Sequence, residues 1–126
     1  MSFTSIHTSE KNREVVASLT SKLGFGVENS IARLAYTYSL SKDIQLDLKD
    51  LRDSKGKEYS KKVLFGEYDD IYIAMVCVHY NLHNSNKDIP KYIKLHIDHG
   101  LQLLEQEYGD TNNISGLEFL VQKIAT

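Results

Sequence analysis

Apolar residues recur along this chain with two periods. Over residues 23–40, Val27, Ile31, Leu34, Ala35 and Tyr38 are spaced 4, 3, 1 and 3, so a helix over about 27–40 carries one stripe that must be buried. Glu28, Ser30 and Arg33 fall between these positions, and Gly24 and Gly26 mark a turn just ahead of them. Upstream, Val15, Val16, Leu19 and Leu23 predict a helix over 10–23. Gly24 stops it, because glycine accepts the left-handed conformation of a helix end, and Thr8 or Ser9 supplies its N-cap. Residues 3–7 alternate bulky and small side chains and predict one short strand. No hairpin turn follows it, so its partner must be a later segment or another subunit.

Between 41 and 62 the texture changes. Ile44, Leu46, Leu48 and Leu51 are spaced 2, 2 and 3, which suits a half-buried strand or an irregular connection. Residues 53–56 give a turn signal, and 57–64 then read as a strand, with a hairpin across the turn as one option. An acidic trio, Glu67, Asp69 and Asp70, opens a helix reaching about Leu82, with Ile71, Ala74, Met75 and Val78 on one face. Asp88 and Pro90 start another, over 90–108, where Ile93, Ile97, Leu101 and Leu104 follow helical spacing. Gly100 costs propensity there and signals a close helix contact. Ser115 and Glu118 form a capping box before a short last helix with Leu117, Leu120 and Val121. The expected fold is mainly α: a single domain over 1–126, a compact bundle of about five helices with one to three short strands. Its strand–helix–turn–helix opening is reminiscent of ribbon-helix-helix proteins.

Composition narrows the class. With 41% hydrophobic and 25% charged residues the chain is an ordinary globule. It has no run of 18 apolar residues and no apolar leader, so neither a membrane span nor secretion is expected, and a cytoplasmic setting fits. The one cysteine, Cys77, lies in an apolar run and reads as a buried thiol. Net charge is −2, yet residues 1–63 hold 11 Lys/Arg against 8 Asp/Glu while 64–126 hold 4 against 9. That total is low for a nonspecific DNA binder, although a locally basic surface is compatible with it.

No Walker-type loop, HExxH or GxSxG occurs, so no cofactor is expected. His79/His83 and His96/His99 have helical spacing but lack completing ligands, and no metal site is assigned. Glu67 and Asp70 share a helical face and are the alternative catalytic pair, as in a metal-dependent nicking enzyme. Helix-dipole complementarity explains the same residues. The strongest functional surface is cationic: Lys11, Lys22, Arg33, Lys42, Lys49, Arg52, Lys55, Lys57, Lys61 and Lys62. Residues 42–62 read either as a solvated mixed-charge loop or as a basic flap touching phosphate. Arg33 suits either an ion pair, to Asp69 or Asp70, or a phosphate.

Residues 9–40 resemble the DndE family of DNA sulfur modification proteins. Leu23, Gly24 and Phe25 match the family's turn, Asn29 its asparagine, Ala32 and Arg33 its Ala-Arg dipeptide, and Ser39 and Leu40 its helix end. Gly56–Tyr59 with Phe65–Asp70, and His96–Leu101, continue the resemblance in order. Gly26 stands where the family more often has threonine. The resemblance implies a noncatalytic, DNA-associated subunit of bacterial DNA phosphorothioation, with the sulfur chemistry in partner proteins. It also implies a homo-oligomer (a tetramer in the family) and affinity for duplex or nicked DNA through surface lysines. Gly24 or Gly26, with Val27 and Ile31, would serve assembly. A ribbon-helix-helix-type regulator or a protein-interaction adaptor is the remaining alternative.

Overall fold

The fold, a computed structural model, is described for residues 3–23 and 28–110. In order it contains β1 (Ser5–His7), α1 (Glu10–Leu23), α2 (Glu28–Ser41), a 3-10 turn at Leu48–Asp50, β2 (Glu58–Ser60), α3 (Lys61–Phe65), a 3-10 turn at Gly66–Tyr68, α4 (Asp69–Tyr80) and α5 (Ile89–Asp110). The glycine corner at 24–26, Val27 and the last helix expected beyond Ser115 lie outside the described residues.

The core forms where the periodic stripes meet. From α1 come Val15, Val16, Leu19 and Leu23, and from α2 Ile31, Ala32, Ala35 and Tyr36. Ile89, Ile93, Ile97, Leu101 and Leu104 of α5 close over them. Each large aliphatic side chain, fully buried, contributes about 1.5–3 kcal/mol of transfer free energy. α2 and α5 form the central pair and approach closely at Gly100, where a Cβ would fall 1.9 Å from the Ala35 carbonyl oxygen. Phe65 and Tyr72 stack at 4.8 Å beside Tyr36, whose hydroxyl donates to the Tyr72 carbonyl. This ties α3 and α4 onto α2.

β1 finds its partner within the chain. It pairs antiparallel with β2 in the register Ser5↔Ser60, Ile6↔Tyr59 and His7↔Glu58. The period-2 alternation buries Ile6 and Tyr59 together and leaves His7 and Glu58 outside. The strand–helix–turn–helix order is therefore present, but the ribbon is satisfied by residues 58–60 and needs no second subunit. This differs from a ribbon-helix-helix dimer.

One stretch decides between open readings and another departs from one. Residues 44–51 are the irregular connection rather than the strand, with no hairpin across 53–56; a 3-10 turn at Leu48–Asp50 is capped by the Asp47 side chain on the Lys49 N–H. Groups of the connection bond instead to the end of α4, Gln45 Nε2 to the His79 carbonyl and the Leu46 N–H to the Tyr80 hydroxyl. Of residues 57–64, expected as a strand, 58–60 form β2, whereas 61–64 belong to α3 because Ser60 Oγ accepts the Val63 N–H as an N-cap. Gly66, at φ +61°, then ends α3. α4 ends at Asn81 in the left-handed conformation, whose N–H returns to α4 carbonyls.

Candidate nucleic-acid interface

The basic loop before β2 is built outward from one aspartate. Asp53 Oδ1 accepts the Lys55 N–H at 3.0 Å, closing an Asx turn, and the Glu10 N–H at 2.9 Å. These two backbone donors hold its carboxyl below the usual carboxylate range. Arg13 Nη2 donates to the carbonyls of Lys55 and Gly56, and the Gly56 N–H donates to the Thr8 carbonyl. A Cβ at Gly56 would lie 2.1 Å from the Ser9 carbonyl oxygen, so only glycine fits this approach. Loop 53–57 is thus clamped to the start of α1.

A second anchor comes from inside. Lys94 Nζ donates to the Asp53 carbonyl at 2.8 Å and to Asp98 Oδ2 at 3.0 Å. Asp98 Oδ1 also accepts the Ser9 N–H and Asn12 Nδ2, and Gln102 bonds to Asn12. Lys94, Asp98 and Asn12 are all buried, so the pair neutralises itself while holding the loop from below. Sequence reasoning missed this cluster, although a Lys and an Asp four apart on an otherwise apolar helix was an available signal.

The ten candidate cations divide. Lys11, Arg52, Lys55 and Lys62 are exposed and, among the described residues, make no ion pair. Of these, Lys55 rides on the clamped loop, Arg52 directly precedes it, and Lys11 lies in the first turn of α1, to which that loop is tied. Lys57 is committed to Glu28 at 2.6 Å and Lys61 to Asp69 at 3.6 Å. Lys49 lies 3.8 Å from Asp47, and Lys42 sits over the Tyr38 ring. Lys22 is exposed in the last turn of α1. Arg33 makes no ion pair with Asp69 or Asp70. Its guanidinium donates to the Leu64 carbonyl at 3.0 Å, serving the end of α3, and Lys61 takes Asp69 instead.

Of the residues expected to serve assembly, Ile31 is fully buried inside the chain. Gly24, Gly26 and Val27 are outside the described residues. Glu67 and Asp70 are both exposed, on the 3-10 turn and the first turn of α4. Among the described residues no three His, Cys, Asp or Glu side chains form a group able to hold a metal ion.

The histidines instead build a hydrogen-bonded chain. Ser39 Oγ lies 2.7 Å from both His96 Nδ1 and His99 Nδ1, and His96 Nε2 lies 2.6 Å from the Tyr80 hydroxyl. The Tyr80 oxygen already accepts the Leu46 N–H. The arrangement that satisfies every atom has Tyr80 donating to His96, His96 to Ser39 and Ser39 to His99, with both rings neutral. Burial holds His96 down to about 4, with the neighbouring His79 and His99 adding to the effect.

These features define a class: a mainly helical protein with a two-stranded ribbon at its start and a basic loop buttressed by a buried ion pair. The chain belongs to the DndE family; the family described as DNA sulphur modification protein DndE matches residues 5–111. In fold it is similar to a solved structure described as the crystal structure of DndE from Escherichia coli B7A involved in DNA phosphorothioation modification. The TM-score is 0.66 at 19% identity, covering 82% of this chain and 99% of that one. No curated protein sequence matches. Among the described residues no helix is long and apolar enough to cross a membrane.

Proposed function

We propose that this chain is a noncatalytic, DNA-associated subunit of a bacterial DNA phosphorothioation system, holding backbone phosphate while partner proteins perform the sulfur chemistry. The observation that carries this reading is the clamped loop. Arg52 and Lys55 are exposed, form no ion pair with a described carboxylate, and are displayed on or beside backbone fixed by Asp53, Arg13 and Lys94. Phosphate contacts of this kind set the position of a protein on a duplex without reading its sequence. Lys11, in the first turn of α1 to which the loop is tied, extends the set; Lys22, Lys42, Lys49 and Lys62 are further exposed cations, and Lys57, Lys61 and Arg33 are held by internal contacts. A homo-oligomer, with residues 24–27 at its contacts, would multiply the number of such loops on one duplex.

The test is the salt dependence of binding to intact and nicked duplex. Removing a cation that neutralises one phosphate lowers the magnitude of the log–log slope by roughly 0.9. Arg52→Gln with Lys55→Gln is expected to flatten the slope by about 1.8 and to weaken binding several-fold, while Lys57→Gln leaves the slope within about 0.5 of the parent. Binding independent of salt refutes the phosphate-contact role. Metal-dependent nicking that disappears in Glu67→Gln refutes the noncatalytic one.

A further inference from the structure

The connection between α2 and β2 closes a cavity against α5. Leu95, Asp98, His99 and Gln102 line it from the helix, at the i, i+3, i+4 and i+7 positions of one helical face. Leu46, Asp50 and Arg52 line it from the connection, which is anchored by the bond from the Leu46 N–H to the Tyr80 hydroxyl. Its volume is about 140 Å³, room for roughly ten water-sized groups.

The lining selects by hydrogen bonding rather than by charge. Lys94 neutralises Asp98, and Arg52 and Asp50 offset each other. Ser39 occupies His99 Nδ1, and burial, with the Arg52 charge adding to it, holds the His99 ring below its ordinary pKa. In the hydrogen-bonded chain described above Ser39 donates to that nitrogen, so His99 is neutral and its remaining donor is Nε2–H. Gln102 gives an amide hydrogen to Asn12 and keeps Oε1 as an acceptor. Asp50 is exposed and, among the described residues, makes no ion pair, so it is a second acceptor. The two leucines add apolar surface, and the Arg52 guanidinium adds a flat face for stacking. An apolar cavity with a few donors and acceptors suits a small planar heterocycle. An anion there would meet Asp50, and a cation Arg52.

Arg52 directly precedes the loop that holds phosphate under the proposed function. One nucleotide can therefore set its phosphate on that loop and its base in the cavity. A base stacked within a duplex cannot enter a concave site, whereas an unpaired one can. We propose that the cavity between the 44–52 connection and α5 takes a single unpaired nucleobase bearing an exocyclic amino group. Asp50 and Gln102 Oε1 offer acceptors to the amino group, and His99 Nε2–H and Arg52 offer donors to the ring nitrogen and carbonyl. The site rests on the phosphate-holding reading and adds a base contact to it.

The test compares a paired duplex with the same duplex carrying one extra cytosine or one extra thymine as a bulge. Expected is binding to the cytosine bulge roughly tenfold tighter than to either of the others, the scale of one seated base. Gln102→Met and Leu46→Trp, the second filling the cavity, lie outside the phosphate-holding set. At least one of them is expected to abolish the preference while binding to paired duplex and its salt slope stay as in the parent. A cytosine bulge bound no tighter than the thymine bulge or the paired duplex overturns the base site, as does a preference that survives both variants; either result leaves the phosphate reading standing. A second measurement needs no duplex affinity. Deoxycytidine added to the full-length protein is expected to shift the His99 ring resonances saturably, and thymidine to do so more weakly. His99 resonances unmoved by both nucleosides overturn the site, whereas failure to bind any duplex refutes the phosphate role.

Discussion

Replacing Gly100 with alanine tests the packing on which the rest of the molecule depends. The added Cβ would lie 1.9 Å from the Ala35 carbonyl oxygen, 2.5 Å from its carbon and 2.8 Å from its Cα. These are backbone atoms in mid-helix, so no rotamer change relieves the clash, and ordinary contact requires α2 and α5 to part by roughly 1.5 Å in an interior packed like a crystal. The same parting stretches the 2.7 Å bonds from Ser39 to His96 and His99. Overpacking of this kind costs about 1–3 kcal/mol, and each weakened buried hydrogen bond about 1 kcal/mol. Alanine returns about 1 kcal/mol of helix propensity. The net expectation is a loss of about 3 kcal/mol, or upwards of about 1 M in urea midpoint at fixed protein concentration. Gly66→Ala is the comparison: it has open space but φ +61° with ψ −140°, a region that only glycine adopts readily, so it carries backbone strain of about 1–3 kcal/mol and no clash. A Gly100→Ala protein as stable as the parent would refute the assignment of α2–α5 as the closest contact.

Buried polar groups supply two more tests. Asp98→Ala leaves the buried Lys94 without its carboxylate, so chemical denaturation should show a loss of about 3–5 kcal/mol; a change under about 1 kcal/mol would contradict a desolvated pair. His96 has a folded pKa of about 4 against an ordinary 6.5, so between those values the unfolded chain binds a proton that the folded one refuses. Its contribution is therefore present above about pH 6.5 and lost as pH falls toward 4, on the order of 3 kcal/mol. An NMR titration placing His96 near 6.5 in the folded protein would remove that slope.

Much of the architecture was legible because periodicity is local. Val15, Val16 and Leu19, and Ile93, Ile97, Leu101 and Leu104, repeat at helical spacing whatever lies opposite them, and they occupy the core. Gly100 announced a close contact for the same reason: a glycine inside a strong helical pattern costs stability unless something needs the space. The short elements were legible only in part. β1 lies inside 3–7 and β2 inside 57–64, both of which read as strands, but 61–64 read as part of the same strand as β2, and the Ser60 cap with the burial of Leu64 and Phe65 makes 61–65 helix.

Which residues meet was decided by tertiary structure alone. The sequence specified that residues 5–7 were extended, but whether they paired with another chain or with residues 58–60 depended on a segment more than fifty residues away. Ten cations stood in the sequence as equals. Folding committed Lys57 to Glu28, Lys61 to Asp69 and Arg33 to the Leu64 carbonyl, and left Arg52 and Lys55 exposed, just before and on a loop that Asp53 and the buried Lys94 hold in place. Charge is a property of a residue, whereas availability depends on which partners the fold brings within a few ångströms of it.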